Sequence, residues 1–244
     1  NEDSIGIYMS KGTLASSGNI SVNNKSVGLD ATTSNITVSG GTHTIGKESV
    51  GFKLKNFSAN EKFLGNSGNI SITNEKSLAY LFDGSNFTSN TNFKDNLTLT
   101  SAKAYTYMSL INNSTLNYTN TKTIANDGSI FINTKDSTVN LLSGTNVIST
   151  NKKVTGVYSE NSAVSNDGIL TLTGDESSAL YGKAVSYLIN TGKITIGKSG
   201  SGIYSINSTG KNNGEIIIGE GSVGMRAENS TITNEITGDR KSTR

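Results

Sequence analysis

One four-residue phrase returns along this chain at near-constant spacing, and that spacing restricts the fold more than any other feature. The phrase is a small residue, any residue, Gly or Ala, then an apolar residue. It reads Ser4-Ile5-Gly6-Ile7, Ser26-Val27-Gly28-Leu29, Ser49-Val50-Gly51-Phe52, Ser77-Leu78-Ala79-Tyr80 and Ala102-Lys103-Ala104-Tyr105. It resumes as Val154-Thr155-Gly156-Val157, Ser177-Ser178-Ala179-Leu180, Gly200-Ser201-Gly202-Ile203 and Ser222-Val223-Gly224-Met225. Subtracting successive Gly/Ala positions gives steps of 22, 23, 28, 25, 52, 23, 23 and 22. The step of 52 holds two units, one of them degenerate near Asp136 to Leu141. A fixed period in this range is the mark of a solenoid.

A second phrase lies between these: Asn or Ser, any residue, Gly, then alternating apolar and polar positions. Examples are Ser17-Gly18-Asn19-Ile20-Ser21-Val22, Asn66-Ser67-Gly68-Asn69-Ile70-Ser71-Ile72 and Asn126-Asp127-Gly128-Ser129-Ile130-Phe131-Ile132. Asn190-Thr191-Gly192-Lys193-Ile194-Thr195-Ile196 and Asn212-Asn213-Gly214-Glu215-Ile216-Ile217-Ile218 repeat it. Asn and Gly tolerate positive φ, so each start reads as a turn. The alternation behind it reads as a short half-buried strand. No helical periodicity competes.

Short strands at constant phase give a coil, and stacked coils pair their strands in parallel about 4.8 Å apart. The predicted fold is therefore all-β: a right-handed single-stranded parallel β-helix of about ten coils of roughly 22–25 residues. It covers residues 1–237. An evenly spaced β-sandwich is the competing architecture, but its hairpins would not need one phrase at one phase. The small place, at Gly6, Gly28, Gly51, Gly156, Gly202 and Gly224, lets adjacent backbones approach closely. The residue after it is expected inside: Ile7, Leu29, Phe52, Tyr80, Tyr105, Val157, Leu180, Ile203 and Met225. Residues 106–125 break the phrase and read as a degenerate or inserted coil. Residues 238–244 are set apart as a non-native tail, because Asp239 to Arg244 ignores the repeat and is the translation of a common sequencing-adapter string.

Composition narrows the function. The 244 residues include no Cys, Pro or Trp and one His; aromatics are 7%, charged residues 16%, and the net charge is +2. Without Cys there is no disulfide framework, and one His leaves no His-based metal site. Scattered cations without a basic stripe argue against nucleic acid. No apolar run is long enough for a membrane helix. A first residue that is Asn rather than Met predicts a chain continuing upstream.

The pattern Asn-x-Gly-x-Ile-x-Ile, followed some ten residues later by Ser-x-Gly-Ile-Tyr, resembles the passenger repeats of large autotransporters of type V secretion. The Asn- and Lys-rich, Pro-free style is most similar to the fusobacterial outer-membrane autotransporter adhesins. The resemblance implies a Gram-negative cell-surface or secreted protein that contributes to virulence. It would be exported through a C-terminal outer-membrane β-barrel outside this chain and would bind a host-cell or bacterial surface protein or glycan. The motifs involved are structural, so no site residues transfer.

Candidate sites follow from the residues. Tyr158, Tyr181 and Tyr204 share one phase directly after the inward position, so alternation points them outward; Tyr8 has the same phase. Exposed aromatic rows bind proteins or sugars, or only stiffen a solenoid. Tyr107 and Tyr118, in the irregular 106–125 segment, are further candidates for a binding surface. Enzymatic candidates are the carboxylates Asp127, Asp167, Asp175, Glu176, Glu215 and Glu220, since β-helix enzymes cleave polysaccharides with paired acids; turn chemistry explains the Asp-Gly pairs equally well. His43, in the turn-like Gly41-Thr42-His43-Thr44, reads as a solvated loop residue. Gly197-Lys198-Ser199-Gly200-Ser201-Gly202 lacks the order of a phosphate loop and reads as a corner. The sequons at Asn86, Asn113, Asn207 and Asn229 are expected from composition. The expected function is an adhesive or presenting rod without catalytic residues, metal or cofactor; the alternatives are a secreted β-helix polysaccharide lyase or hydrolase, and a purely structural stalk.

Overall fold

The computed structural model describes residues 3–235 and 239–242, the last four by their backbone course alone. Two compact units divide the chain, residues 1–116 and 117–244. Both are parallel β-solenoids, and among the described residues there is no helix. Together they contain about ten turns.

In the first unit the repeated phrase opens the strands Ile5–Ser10, Val27–Thr32, Val50–Lys55 and Leu78–Asp83, and Thr106–Ile111, just past Ala102–Tyr105, continues their sheet. Each pairs in parallel with the next. The second phrase supplies another parallel sheet, dominated by the long strands Asn35–Ile45 and Phe63–Ile72. Two short strands merge in each of these around a glycine bulge, at Gly41 (φ 77°) and Gly68 (φ 121°). In the second unit each turn has three sides. Ile130–Lys135, Thr155–Glu160, Ser178–Lys183, Ser201–Ile206 and Val223–Glu228 form one sheet. Thr138–Leu141, Ala163–Asn166, Tyr187–Asn190, Thr209–Asn212 and Thr231–Asn234 form the next. Thr121–Thr123, Asn146–Ser149, Ile169–Leu172, Lys193–Ile196, Glu215–Ile218 and Asp239–Ser242 form the third. Of the tail set apart above, 239–242 thus lies beside Glu215–Ile218. Residues 238, 243 and 244 lie outside the described residues.

Register places like on like. Ile132, Val157, Leu180, Ile203 and Met225 form one internal column, and Val147, Leu170, Ile194 and Ile216 another. Each buried aliphatic side chain contributes about 1.5–3 kcal/mol only because the coils above and below cover it. The small place is explained by space. A Cβ on Gly202 would lie 2.5 Å from the carbonyl oxygen of Gly224, and one on Gly156 2.5 Å from that of Ala179.

Polar columns close the corners. The amides of Ser4, Ser26 and Val154 donate to the hydroxyls of Ser26, Ser49 and Ser177 on the next coil. A second serine column runs from Ser137 through Ser162, Ser186 and Ser208 to Ser230. Asn166, Asn190, Asn212 and Asn234 form a ladder in which each Nδ2 donates to the next Oδ1 at 2.7–2.8 Å. This corrects the turn reading of the second phrase. Gly68 and Gly128 have positive φ, but Gly192 and Gly214 do not. A Cβ on either would sit 2.1 Å from a carbonyl oxygen of the preceding coil. Asn-x-Gly there combines a side-chain ladder with tight packing.

The phase between residues 80 and 157 also differs from expectation. Met108, not Tyr105, pairs with Tyr80, a step of 28. The strand 106–111 is regular and pairs with 78–83, and the strands 115–118 and 121–123 follow it. Tyr105 stands one coil on from Ser77, and Tyr107 fills the small place itself. Ile132 pairs with Val157, so Phe131 holds the small place in its own strand. The phrase was hidden there because two aromatic residues replace Gly or Ala.

Candidate functional site

Tyr158, Tyr181 and Tyr204 lie on consecutive coils of the second unit, directly paired in register. Strand alternation turns them away from the internal column, and each is half-buried along the sheet. Tyr158 and Tyr181 stack with centroids 5.1 Å apart and an 8° interplanar angle. Tyr204 meets Tyr181 edge-on at 4.9 Å. The column is bounded by Asn133 beside Tyr158 and Arg226 beside Tyr204. Tyr8 is exposed but pairs with Asp30, so it does not extend a tyrosine row.

Charges flank the rings. The Lys183 ammonium lies 5.4 Å from the Tyr158 centroid and the Arg226 guanidinium 4.6 Å from that of Tyr204, within cation–π range. Glu160 bridges Lys135 at 3.0 Å and Lys183 at 3.1 Å, and hydrogen bonding to Lys135 and then Lys183 holds its carboxyl below the usual range. Lys183 is raised by its hydrogen bonds to Tyr158 and Glu160. Tyr204 donates its hydroxyl to Glu228 at 2.5 Å, which raises the phenol and lowers the carboxyl. Burial first, then the neighbouring Tyr158, raises Tyr181. The result is a strip of aromatic area edged by fixed ions, suited to non-covalent contact with a broad partner surface.

The other two tyrosines are not part of any surface. Tyr107 and Tyr118 are fully buried. Tyr107 packs edge-on against Tyr80 at 5.5 Å and donates its hydroxyl to Asp95. Tyr118 packs against Phe131 at 5.3 Å. His43 is likewise inside, at 2% exposure, with its ring edge against Phe52 at 5.2 Å. Its register partners are Ile20 and Ile70, so it occupies an aliphatic slot. Burial pushes its imidazole down, opposed by the backbone of Gly40. The available signal was alternation: His43 shares a strand face with Ile45.

The carboxylates considered for catalysis are engaged along the coils. Asp127 accepts the amide of Lys152 at 2.8 Å, and Asp167 accepts the Thr191 hydroxyl at 3.3 Å. Lysines on adjacent coils pair with Asp175 (Lys152, 3.7 Å), Glu176 (Lys153, 3.6 Å), Glu215 (Lys193, 3.0 Å) and Glu220 (Lys198, 3.3 Å). Among the described residues no three His, Asp or Glu side chains converge as a metal site. Residues 197–200 form a bend between Lys193–Ile196 and Ser201–Ile206.

Residues 37–238 match the family described as the BigA third pectate lyase-like domain. The chain belongs to that family. The matched stretch of this BigA third-domain relative takes in the whole tyrosine column and the widened coils around Tyr80 and Tyr107. No curated protein and no solved structure matches the chain.

Sequence reasoning missed two features of the second unit. One is the asparagine ladder, whose signal was Asn at steps of 24, 22 and 22. The other is a groove beside Tyr187, built by the corner after the tyrosine-bearing strands.

Proposed function

We propose that the chain is part of a bacterial cell-surface passenger and that its tyrosine column is an adhesive face for host cells or other bacteria. BigA is a bacterial autotransporter-like adhesin, and membership of its domain family supports surface display. The observation that carries the reading is the unbroken Tyr158–Tyr181–Tyr204 row with Lys183 and Arg226 against its rings. Aromatic side chains with ordered cations are the residue types enriched at recognition hot spots. Repetition on successive coils also permits many weak contacts to add as avidity.

The test is capture of epithelial cells and bacteria on surfaces coated with the chain, compared with a variant carrying Tyr158→Ser, Tyr181→Ser and Tyr204→Ser. The adhesive reading requires lost capture with retained β-structure. Equal capture by both proteins rejects this face. Loss of folding with no capture by the parent chain supports a structural stalk.

A carbohydrate-active enzyme is the second reading, favoured by the pectate lyase-like fold of the family. Its assay is growth of unsaturated-uronate absorbance in polygalacturonate solution with the chain present.

A further inference from the structure

The corner that follows the tyrosine-bearing strands of the second unit opens into a groove of about 670 Å³. Three consecutive coils line it. One row is Val185, Asn207 and Asn229; the next is Tyr187, Thr209 and Thr231, which pair directly in register. The serines between these rows are committed to the fold. Ser186, Ser208 and Ser230 donate to backbone carbonyls of their own coils and accept corner amides from the coil before.

The two outer rows are different. Asn207 and Asn229 are exposed, and among the described residues their carboxamides make no hydrogen bond within the chain; the same holds for the Thr209 and Thr231 hydroxyls. On the coil before Val185 the corresponding Asn161 is tied to Asp136 at 2.7 Å. The groove therefore begins where that tie ends. Its floor carries one large ring, Tyr187, at 45% exposure.

Val185 marks the same place. Asn161, Asn207 and Asn229 have φ of 47°, 48° and 47°, a region that Asn tolerates. Val185 stands in this row with φ 67° and 79% exposure. A β-branched residue in the left-handed region is strained, and here its side chain gains no burial in return. It supplies an apolar rim beside Tyr187.

No Lys, Arg, Asp or Glu lines the groove. Unpaired carboxamides and hydroxyls beside an exposed aromatic face are the groups that recognise sugar hydroxyls and cover a pyranose ring. Among the lining residues no cation favours a carboxylate or sulfate, and Lys211, whose charge reaches Tyr187, is paired with Glu235 at 2.9 Å. We propose that this groove is a binding site for an uncharged oligosaccharide. The ring of one sugar lies on Tyr187, and Asn207 and Asn229 hydrogen-bond its hydroxyls. This surface is separate from the tyrosine column, so the two sites stand or fall independently.

The experiment is nitrogen-resolved NMR of the full chain titrated with maltotriose, cellotriose and chitotriose, with trigalacturonate as the charged counterpart. At least one neutral trisaccharide is expected to shift the side-chain amides of Asn207 and Asn229 and the backbone of Tyr187. Tyr187→Ala should weaken that binding at least tenfold. If Tyr187→Ala fails to fold, the pair Asn207→Gly and Asn229→Gly serves instead, since glycine keeps the positive φ and removes only the carboxamides. Tyr181→Ser should leave the affinity unchanged. The proposal is overturned if none of the three neutral sugars produces shifts, if trigalacturonate binds there more tightly, or if binding survives in a folded variant. Cell capture through the tyrosine column is read in a separate assay.

Discussion

Met108 lies directly beside Tyr80 in the parallel pair formed by Leu78–Asp83 and Thr106–Ile111, which puts Tyr107 in the place held by Gly51 and Ala79 on the coils before. Ile45 crowds the place held by Gly51, its Cδ1 2.6 Å from a Cβ built there. At the register position of Ile45 and Ile72 the next coil has Ser101. Two successive coils have also lengthened to 28 residues and filled with Phe63, Tyr80, Phe82, Phe87 and Phe93. Asp95 is drawn inside and accepts hydroxyls from both Tyr80 and Tyr107.

Tyr107→Ala should therefore leave a cavity and cost about 3–5 kcal/mol. Adding Ser101→Ile in that background should restore part of the loss, whereas Ser101→Ile alone should destabilise by overpacking. Urea unfolding of the four proteins gives the coupling. Additive effects would show that the two positions do not share the space.

Gly202→Val should cost about 1–3 kcal/mol, because its branched side chain would meet the Gly224 carbonyl and the Ile216 methyl, already 2.5 and 2.8 Å from a bare Cβ. The melting temperature should fall by several degrees. Gly18→Ala is the control: nothing lies within 4 Å of its Cβ, and its melting curve should match that of the parent.

Asn190→Ala should destabilise by about 1–3 kcal/mol for each ladder partner left unpaired, since Asn166 loses its acceptor and Asn212 its donor in a fully buried row. Asn140→Ala also breaks side-chain bonds, to Asn117 and Ser165, but at a half-buried site where water can substitute. Its effect should stay within about 0.5 kcal/mol. Paired denaturation curves check the contrast.

His43 should make stability depend on pH above the carboxylate range. Its folded pKa is lowered by burial, so the unfolded chain binds the proton first. The contribution is complete above the unfolded value of about 6.5 and is lost as pH falls through the folded value. Glu61, Glu160 and Glu228, also lowered, add their own losses further down, from about 4.5. His43→Phe should flatten the upper step and leave the lower one. Melting temperatures recorded between pH 7.5 and 3.5 separate them, and an unchanged upper step would mean that another group causes it.

The fold class was legible in the sequence because a solenoid is held by nearest neighbours, and each coil must present the same groups to the next. Gly28, Gly51, Gly156 and Gly202 carry that rule openly, and so does the Tyr158–Tyr181–Tyr204 row, since alternation alone turns it outward. Where a coil widens, the rule concerns total volume rather than residue type. Tyr107 and Phe131 then replace Gly, Tyr105 replaces Ser, and the phase can no longer be read from the phrase. His43 entered the core through an aliphatic slot that only cross-strand register reveals. The groove at Tyr187 depends on three corners and on which Asn lacks an Asp one coil away. The sequence by itself determined the period, the parallel columns and the outward tyrosines, because these repeat locally. Only the tertiary structure decided which large side chains go inside and where polar groups are left without partners, because both depend on volume and hydrogen bonds shared between residues more than twenty positions apart.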